Sequence, residues 1–113
     1  MTDCLFCNII KGKIPSNLIY EDEKVIAFND INPQAPVHYL VIPRDHIESA
    51  DFINENNKEL IGHIIFVASK LAKEQGLSKG YRIINNCGSD GGQTVGHIHF
   101  HILGKREMLW PPG

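Results

Sequence analysis

Hydrophobic and polar positions change period several times along this chain, and each change marks an element. Residues 57–75 carry the long helical pattern. Leu60, Ile61, Ile64, Ile65, Ala68, Leu71 and Ala72 recur at i, i+3, i+4, i+7 and i+8, and Gly76 stands where a helix would end. A short helix is predicted over residues 4–11, with Leu5 and Ile9, and Cys4 and Cys7, at helical spacing; Gly12 and Pro15 close it. Residues 18–21 and 24–29 read as strands joined by Asp22-Glu23 in a hairpin. Further strands are predicted over residues 38–43, Tyr81–Asn85 and residues 97–103. Pro33 and Pro36 leave residues 30–36 as a loop, and Gly88-Ser89-Asp90-Gly91-Gly92 makes a flexible loop between the last two strands. One helix, three strands, a long helix and two strands predict an α+β fold. Its five-stranded antiparallel sheet should be covered on one face.

Length and composition narrow the picture. The 113 residues are enough for one domain, residues 1–113, with one core and no staples. With 42% apolar and 21% charged residues, disorder is excluded. Eleven Lys and Arg against thirteen Asp and Glu give a net charge of −2, which supplies no basic excess for nucleic acid. Apolar stretches such as residues 39–43 fall far short of the ~20 residues that span a bilayer, so no membrane partner is expected. The N-terminus lacks the basic flank and apolar block of a secretory signal. Together with three cysteines, an odd count, this predicts a reducing, cytoplasmic location without a disulfide framework.

Six histidines carry most of the chemical information. In the strand predicted over residues 97–103, alternation turns Ile98, Phe100 and Ile102 to the core and His97, His99 and His101 to the other side. The outer two Cβ atoms of such a strand lie ~13 Å apart, whereas metal–nitrogen bonds are ~2.0–2.1 Å, so the three cannot converge on one ion. They must divide labour, the middle one facing whatever binds over the sheet. In the preceding loop Gly88, Gly91, Gly92 and Gly96 permit close backbone approach, and successive amides can cup an anion beside Gln93 and Thr94. Asp30 fits either an Asx turn or an acceptor for ribose hydroxyls, and Asn86 is open in the same way. His63, off the main stripe of the long helix, reads as a structural or surface residue. Asp and Glu do not cluster near the histidines, so no Mg²⁺ site is evident. Cys4-x-x-Cys7 lacks the preceding strand of a redox motif; buried thiols and half a zinc site remain.

HIHFHIL resembles the His-x-His-x-His-x-x signature of the histidine triad superfamily. FNDINPQAPVHYLVIPRDHI, GYRIINNCGSDGGQTVGHIHFH and the terminal WPPG resemble its Hint branch, so the likeness extends over almost the whole chain. The resemblance implies a homodimer whose two sheets join, and a purine nucleoside 5′-monophosphate site. It implies a hydrolase of the adenosine 5′-monophosphoramidase type, which cleaves the P–N bond of nucleoside phosphoramidates through a nucleotidyl-histidine on His99. His101 and Thr94 would meet the phosphate or leaving group, Thr94 standing where many relatives carry Ser. His38 would be the supporting fourth histidine, and Asp30 would hold the ribose. Asn86, Gly92 and Gln93 would serve the phosphate and sugar, and Phe6, Phe28 and Ile31 the base. The resemblance also implies a structural zinc on Cys4, Cys7, His46 and His97, with Cys87 outside the set and no organic cofactor. Two other readings stay open. One is a dinucleoside polyphosphate hydrolase like the fragile histidine triad branch, against which the WPPG end argues. The other is a nucleotide-binding adaptor with incidental catalysis.

Overall fold

The computed structural model describes residues 4–113; residues 1–3, within the span expected to form the domain, lie outside the described residues. The chain runs α1 (Leu5–Ile10), β1 (Leu18–Glu21), β2 (Val25–Asn29), β3 (Val37–Pro43), a 3₁₀ turn (Ala50–Phe52), α2 (Lys58–Glu74), β4 (Tyr81–Asn85) and β5 (Phe100–Gly104). The strands form one antiparallel sheet in the order β1-β2-β3-β5-β4. The long helix carries the chain from β3 to the far edge, and β5 returns to pair between β3 and β4. The α+β class, the five strands and the two helices are as the sequence predicts.

The pattern of burial departs from expectation in one respect. The sheet is covered on both faces, not one, because β2 and β3 are apolar at successive positions. On one face Val25, Ala27, Tyr39, Val41, Phe100 and Ile102 pack against Ile64, Val67, Ala68 and Leu71 of α2. The phenol of Tyr39 is satisfied there by donating to the Ala68 carbonyl at 2.8 Å. On the other face Ile26, Phe28, Leu40 and Ile42 are met by Cys4 and Phe6 of the N-terminal segment.

Two local details also differ. In α2, Val67 joins the buried stripe, while Ile65 turns outward beside Phe66. Leu60 and Ile61 are only partly buried. The helix closes as its sequence predicts: Gly76 has φ +74, its amide donates to Lys73 and that of Leu77 to Ala72, which satisfies two terminal carbonyls. The last strand begins at Phe100, not at residue 97. Pro43 ends β3 without an amide to extend the ladder, so residues 97–99 find other partners: the Ile98 amide donates to Ile47 O at 2.6 Å. The alternation survives outside the ladder. Ile98, Phe100 and Ile102 enter the α2 core, while Phe6, on the opposite face, packs against His97 and His99. His63 is structural, as expected: its Nε2 lies 2.8 Å from Asp22 Oδ2 and ties α2 to the β1–β2 turn.

Candidate functional site

A cavity of about 570 Å³ opens on the α1 face of the sheet. Of the residues expected at the nucleotide site, Phe6, Phe28, Asp30, Ile31, Thr94, His99 and His101 line it. His38 lies behind this lining and touches it through Asp30 and His101. Asn86, Gly92 and Gln93 do not line it. They brace the glycine loop instead. Asn86 Nδ2 donates to Gly91 O at 2.6 Å, and Gln93 Oε1 accepts from the Gly88 amide while its Nε2 donates to Glu48 O and Val95 O. The amides of Gly88, Gly92 and Gln93 are all spent within the loop, so the loop reads as a scaffold that delivers Thr94 to the cavity. Gly91 is required there, since a Cβ would come within 2.3 Å of Cys87 O. Sequence reading missed Ile9, Ile14, Pro15, Asn17, Leu40 and Val95 in the lining. Most of these sit in connections or on a strand face whose exposure only the docking of α1 decides. A second cleft, of about 610 Å³, lies between residues 76–80 and 105–107, but its lining holds no imidazole or thiol.

Hydrogen-bond partners assign the imidazole protons. His99 Nδ1 lies 2.8 Å from the His97 carbonyl, which can only accept, so Nδ1 carries the proton and Nε2 keeps its lone pair. His38 Nδ1 accepts from the Gln34 amide at 3.0 Å, so its proton sits on Nε2. That Nε2 reaches His101 Nδ1 at 2.9 Å and Asp30 Oδ2 at 3.3 Å. His101 Nδ1 is then an acceptor and its Nε2 holds the proton. Asp30, His38 and His101 are close enough to suggest a metal site. The proton on His38 Nε2 occupies the lone pair an ion would need, so this set is a hydrogen-bonded relay. Asp30 also closes an Asx turn, Oδ1 accepting from the Asn32 amide at 2.8 Å, while Oδ2 stays beside His38.

Burial sets the charge state of these rings. It lowers the pKa of His99, against the bond to the His97 carbonyl, and that of His38, against the Asp30 carboxylate. His101 is pushed down to about 4, by burial first and then by His99 and His38. The three are therefore neutral near pH 7, which leaves the His99 lone pair available for attack.

Cys4, Cys7, His46 and His97 converge at the N-terminus of α1, their donor atoms all within 4.8 Å of one another. Cys4 Sγ lies 3.4 Å and Cys7 Sγ 3.6 Å from His97 Nδ1, and Cys7 Sγ is 3.3 Å from His46 Nδ1. A tetrahedral ion with Zn–S ~2.3 Å and Zn–N ~2.0–2.1 Å would hold sulfur and nitrogen about 3.6 Å apart. The donor chemistry agrees. His97 Nε2 gives its proton to Pro43 O at 2.8 Å, which leaves the Nδ1 lone pair facing the sulfurs. The Cys7 amide donates to Cys4 Sγ at 3.3 Å, as suits a thiolate. His97 is fully buried and is pushed down to about 4, chiefly by burial, so it too is neutral and ligand-ready.

Known proteins share this arrangement of chain. A family profile described as "Scavenger mRNA decapping enzyme C-term binding" matches residues 3–110. The chain is 50% identical over 111 residues to the 14 kDa zinc-binding protein of Zea mays, covering 96% of this chain and 87% of the maize protein. It is similar to the crystal structure of a HIT family hydrolase from Legionella pneumophila Philadelphia 1, with a TM-score of 0.95 and 50% identity over 98% of this chain and 100% of that one. It is also similar to a histidine triad nucleotide-binding protein from Candida albicans, with a TM-score of 0.85 and 34% identity over 96% of this chain and 83% of that one.

Proposed function

This chain belongs to the histidine triad superfamily, and from that premise we propose that it hydrolyses purine nucleoside phosphoramidates, with His99 as nucleophile. The observation that carries the reading is the bond from His99 Nδ1 to the His97 carbonyl, which leaves Nε2 unprotonated on a residue that lines the cavity. Phe6 and Phe28 offer the base an apolar wall, Asp30 accepts from the ribose, and Thr94 and His101 meet the phosphate. His99 Nε2 attacks the α-phosphorus, a P–N bond to the ring forms, and the P–N bond to the amine breaks. A bound phosphate anion favours the imidazolium form of His101, reversing the effect of burial, and this ring gives its proton to the departing amine. The neutral His101 then takes a proton from water, the hydroxide attacks phosphorus, and His99 Nε2 leaves. His38, held by Gln34, orients His101 through the relay.

Cys4, Cys7, His46 and His97 would hold a zinc ion, which when bound supplies a cross-link between α1 and the sheet. We read it as structural, outside the reaction. No described helix is long and apolar enough to cross a membrane.

Intact-mass measurement after mixing with a slow nucleoside phosphoramidate tests the reading. The expected result is one nucleotidyl group per chain, absent in His99→Ala, with turnover falling by several orders of magnitude at 1.36 kcal/mol per tenfold. A His99→Ala variant that keeps more than a few per cent of activity would refute the assignment. Faster cleavage of diadenosine polyphosphates than of the phosphoramidate would favour the fragile histidine triad reading. Nucleotide binding with no turnover of either would favour the adaptor.

A further inference from the structure

Helix α1 has six residues, too few to be stable by itself. Cys4 caps it and Cys7 lies within it, so it brings two of the four donors of the metal cluster. The same helix presents Leu5, Phe6 and Ile9 to the cavity. Phe6 stands between the two cysteines and is 5% exposed. Its ring meets His97 edge-on at 5.9 Å, His99 at 5.0 Å and Phe28 at 5.7 Å. One side chain thus touches a metal ligand, the residue read as nucleophile, and the wall read as facing the base.

We propose that metal occupancy at Cys4, Cys7, His46 and His97 sets the cavity's affinity for the base of the nucleotide, through α1 and Phe6. The inference rests on the nucleotide and zinc readings above. Without the ion, α1 is held chiefly by apolar burial, of Cys4 and Phe6 and in part of Cys7, Ile9 and Ile10, with thiol–imidazole contacts of 3.3–3.6 Å to His46 and His97 beside it. Apolar contact is non-directional and a thiol is a weak donor, so the helix is freer to shift on the sheet than it would be under metal–ligand bonds. A base arriving in the cavity must then order its own wall. With the ion bound, two ligand bonds hold α1 and the wall stands ready, so metal and nucleotide strengthen each other's binding by the same factor. Asp30, Thr94, His99 and His101, which face the ribose and phosphate in this reading, lie outside α1. The coupling should therefore be confined to the base.

The test compares zinc-loaded and chelator-stripped chain by calorimetric titration with AMP and with ribose 5-phosphate, which lacks the base. Stripping should weaken AMP binding roughly 5–50-fold and leave ribose 5-phosphate nearly unchanged. Saturating AMP should raise zinc affinity against a competing chelator by the same factor. In Phe6→Ala, AMP affinity should no longer depend on zinc. If stripping unfolds the chain, zinc-loaded Phe6→Ala carries the test alone: it should lose AMP affinity, keep ribose 5-phosphate, and release zinc to the chelator more readily. Equal AMP affinity with and without zinc, both binding, overturns the inference, as does equal weakening of AMP and ribose 5-phosphate. A chain that takes up no zinc refutes the zinc reading, and a loaded chain that binds no AMP refutes the nucleotide reading; either removes the coupling too.

Discussion

At the scale of single residues, the site's chemistry rests on which nitrogen holds each proton. Gln34 and the His97 carbonyl make those assignments through one hydrogen bond each. Asp30 has two tasks, since Oδ1 closes a turn while Oδ2 stands by His38. Asp30→Ala should weaken ribonucleotide binding by about 1–3 kcal/mol and reduce discrimination against the 2′-deoxy analogue, because a site built to bond a hydroxyl leaves a group unpaired without it. Equal losses for ribose and deoxyribose ligands, measured by titration, would assign Asp30 to the turn alone. The buried imidazoles also predict a pH dependence. His101 sits at about 4 and His38 is lowered, while both titrate near ~6.5 in an unfolded chain. Between those values the unfolded state binds protons that the folded state does not, so stability rises with pH and is lost as pH falls from about 6.5 toward 4. Each such imidazole contributes about 1.36 kcal/mol per pH unit within its window. Urea denaturation of nucleotide-free protein at pH 7, 6 and 5 should show the decline, and His101→Asn should flatten it.

At the scale of elements, α2 and β2–β3 are secured by apolar burial on a large face, whereas α1 is not. Its Cys4 and Cys7 would let a metal cross-link substitute for area. Cys4→Ser keeps a hydrogen-bond acceptor but loses a thiolate. It should release the ion, measured as zinc per chain, and lower Tm by ~5 °C or more, on the scale of 2–8 °C per kcal/mol for domains of this size class. The rate at saturating nucleotide, per folded molecule, should change much less. A variant with unchanged Tm and no zinc would return the pair to the buried-thiol reading. The β1–β2 turn shows the same economy with protons in place of metal: Asp22 accepts from the Lys24 and Val25 amides, from Tyr20 and from His63.

At the scale of the whole molecule, β4 is an edge of the sheet, and α2 exposes Phe66 and Ile65. An open edge and an outward apolar face are what a two-fold partner would cover. We propose that this chain pairs there as a homodimer. Arg82 of β4 donates to Leu109 O at 3.1 Å and holds the C-terminal segment at that edge, with Trp110 85% exposed. Sedimentation at micromolar concentration should give a mass near twice 12.7 kDa, with Trp110 less exposed and able to influence the leaving group. A fully active monomer would remove both the pairing and that role for Trp110.

Much of the fold and half of the site were legible in the residues themselves. Alternation placed Ile98, Phe100 and Ile102 opposite the histidines even where the ladder stopped short, because the side preference of extended chain needs no partner strand. The helix stripe and its Gly76 terminus were readable because their period and φ requirement are local. The blocks around His38, Asp30 and the triad carried the family likeness, and seven residues expected at the nucleotide site do line one cavity. What needed tertiary structure were the facts that depend on two distant segments meeting. No local pattern says that the Gln93 amide reaches Glu48 O, that α1 closes the second face of the sheet, or that Ile65 turns outward. The protonation of His38 and His99 was hidden for another reason: the deciding groups, the Gln34 amide and the His97 carbonyl, lie only four and two residues away, but the irregular chain there has no period from which a side-chain contact can be read.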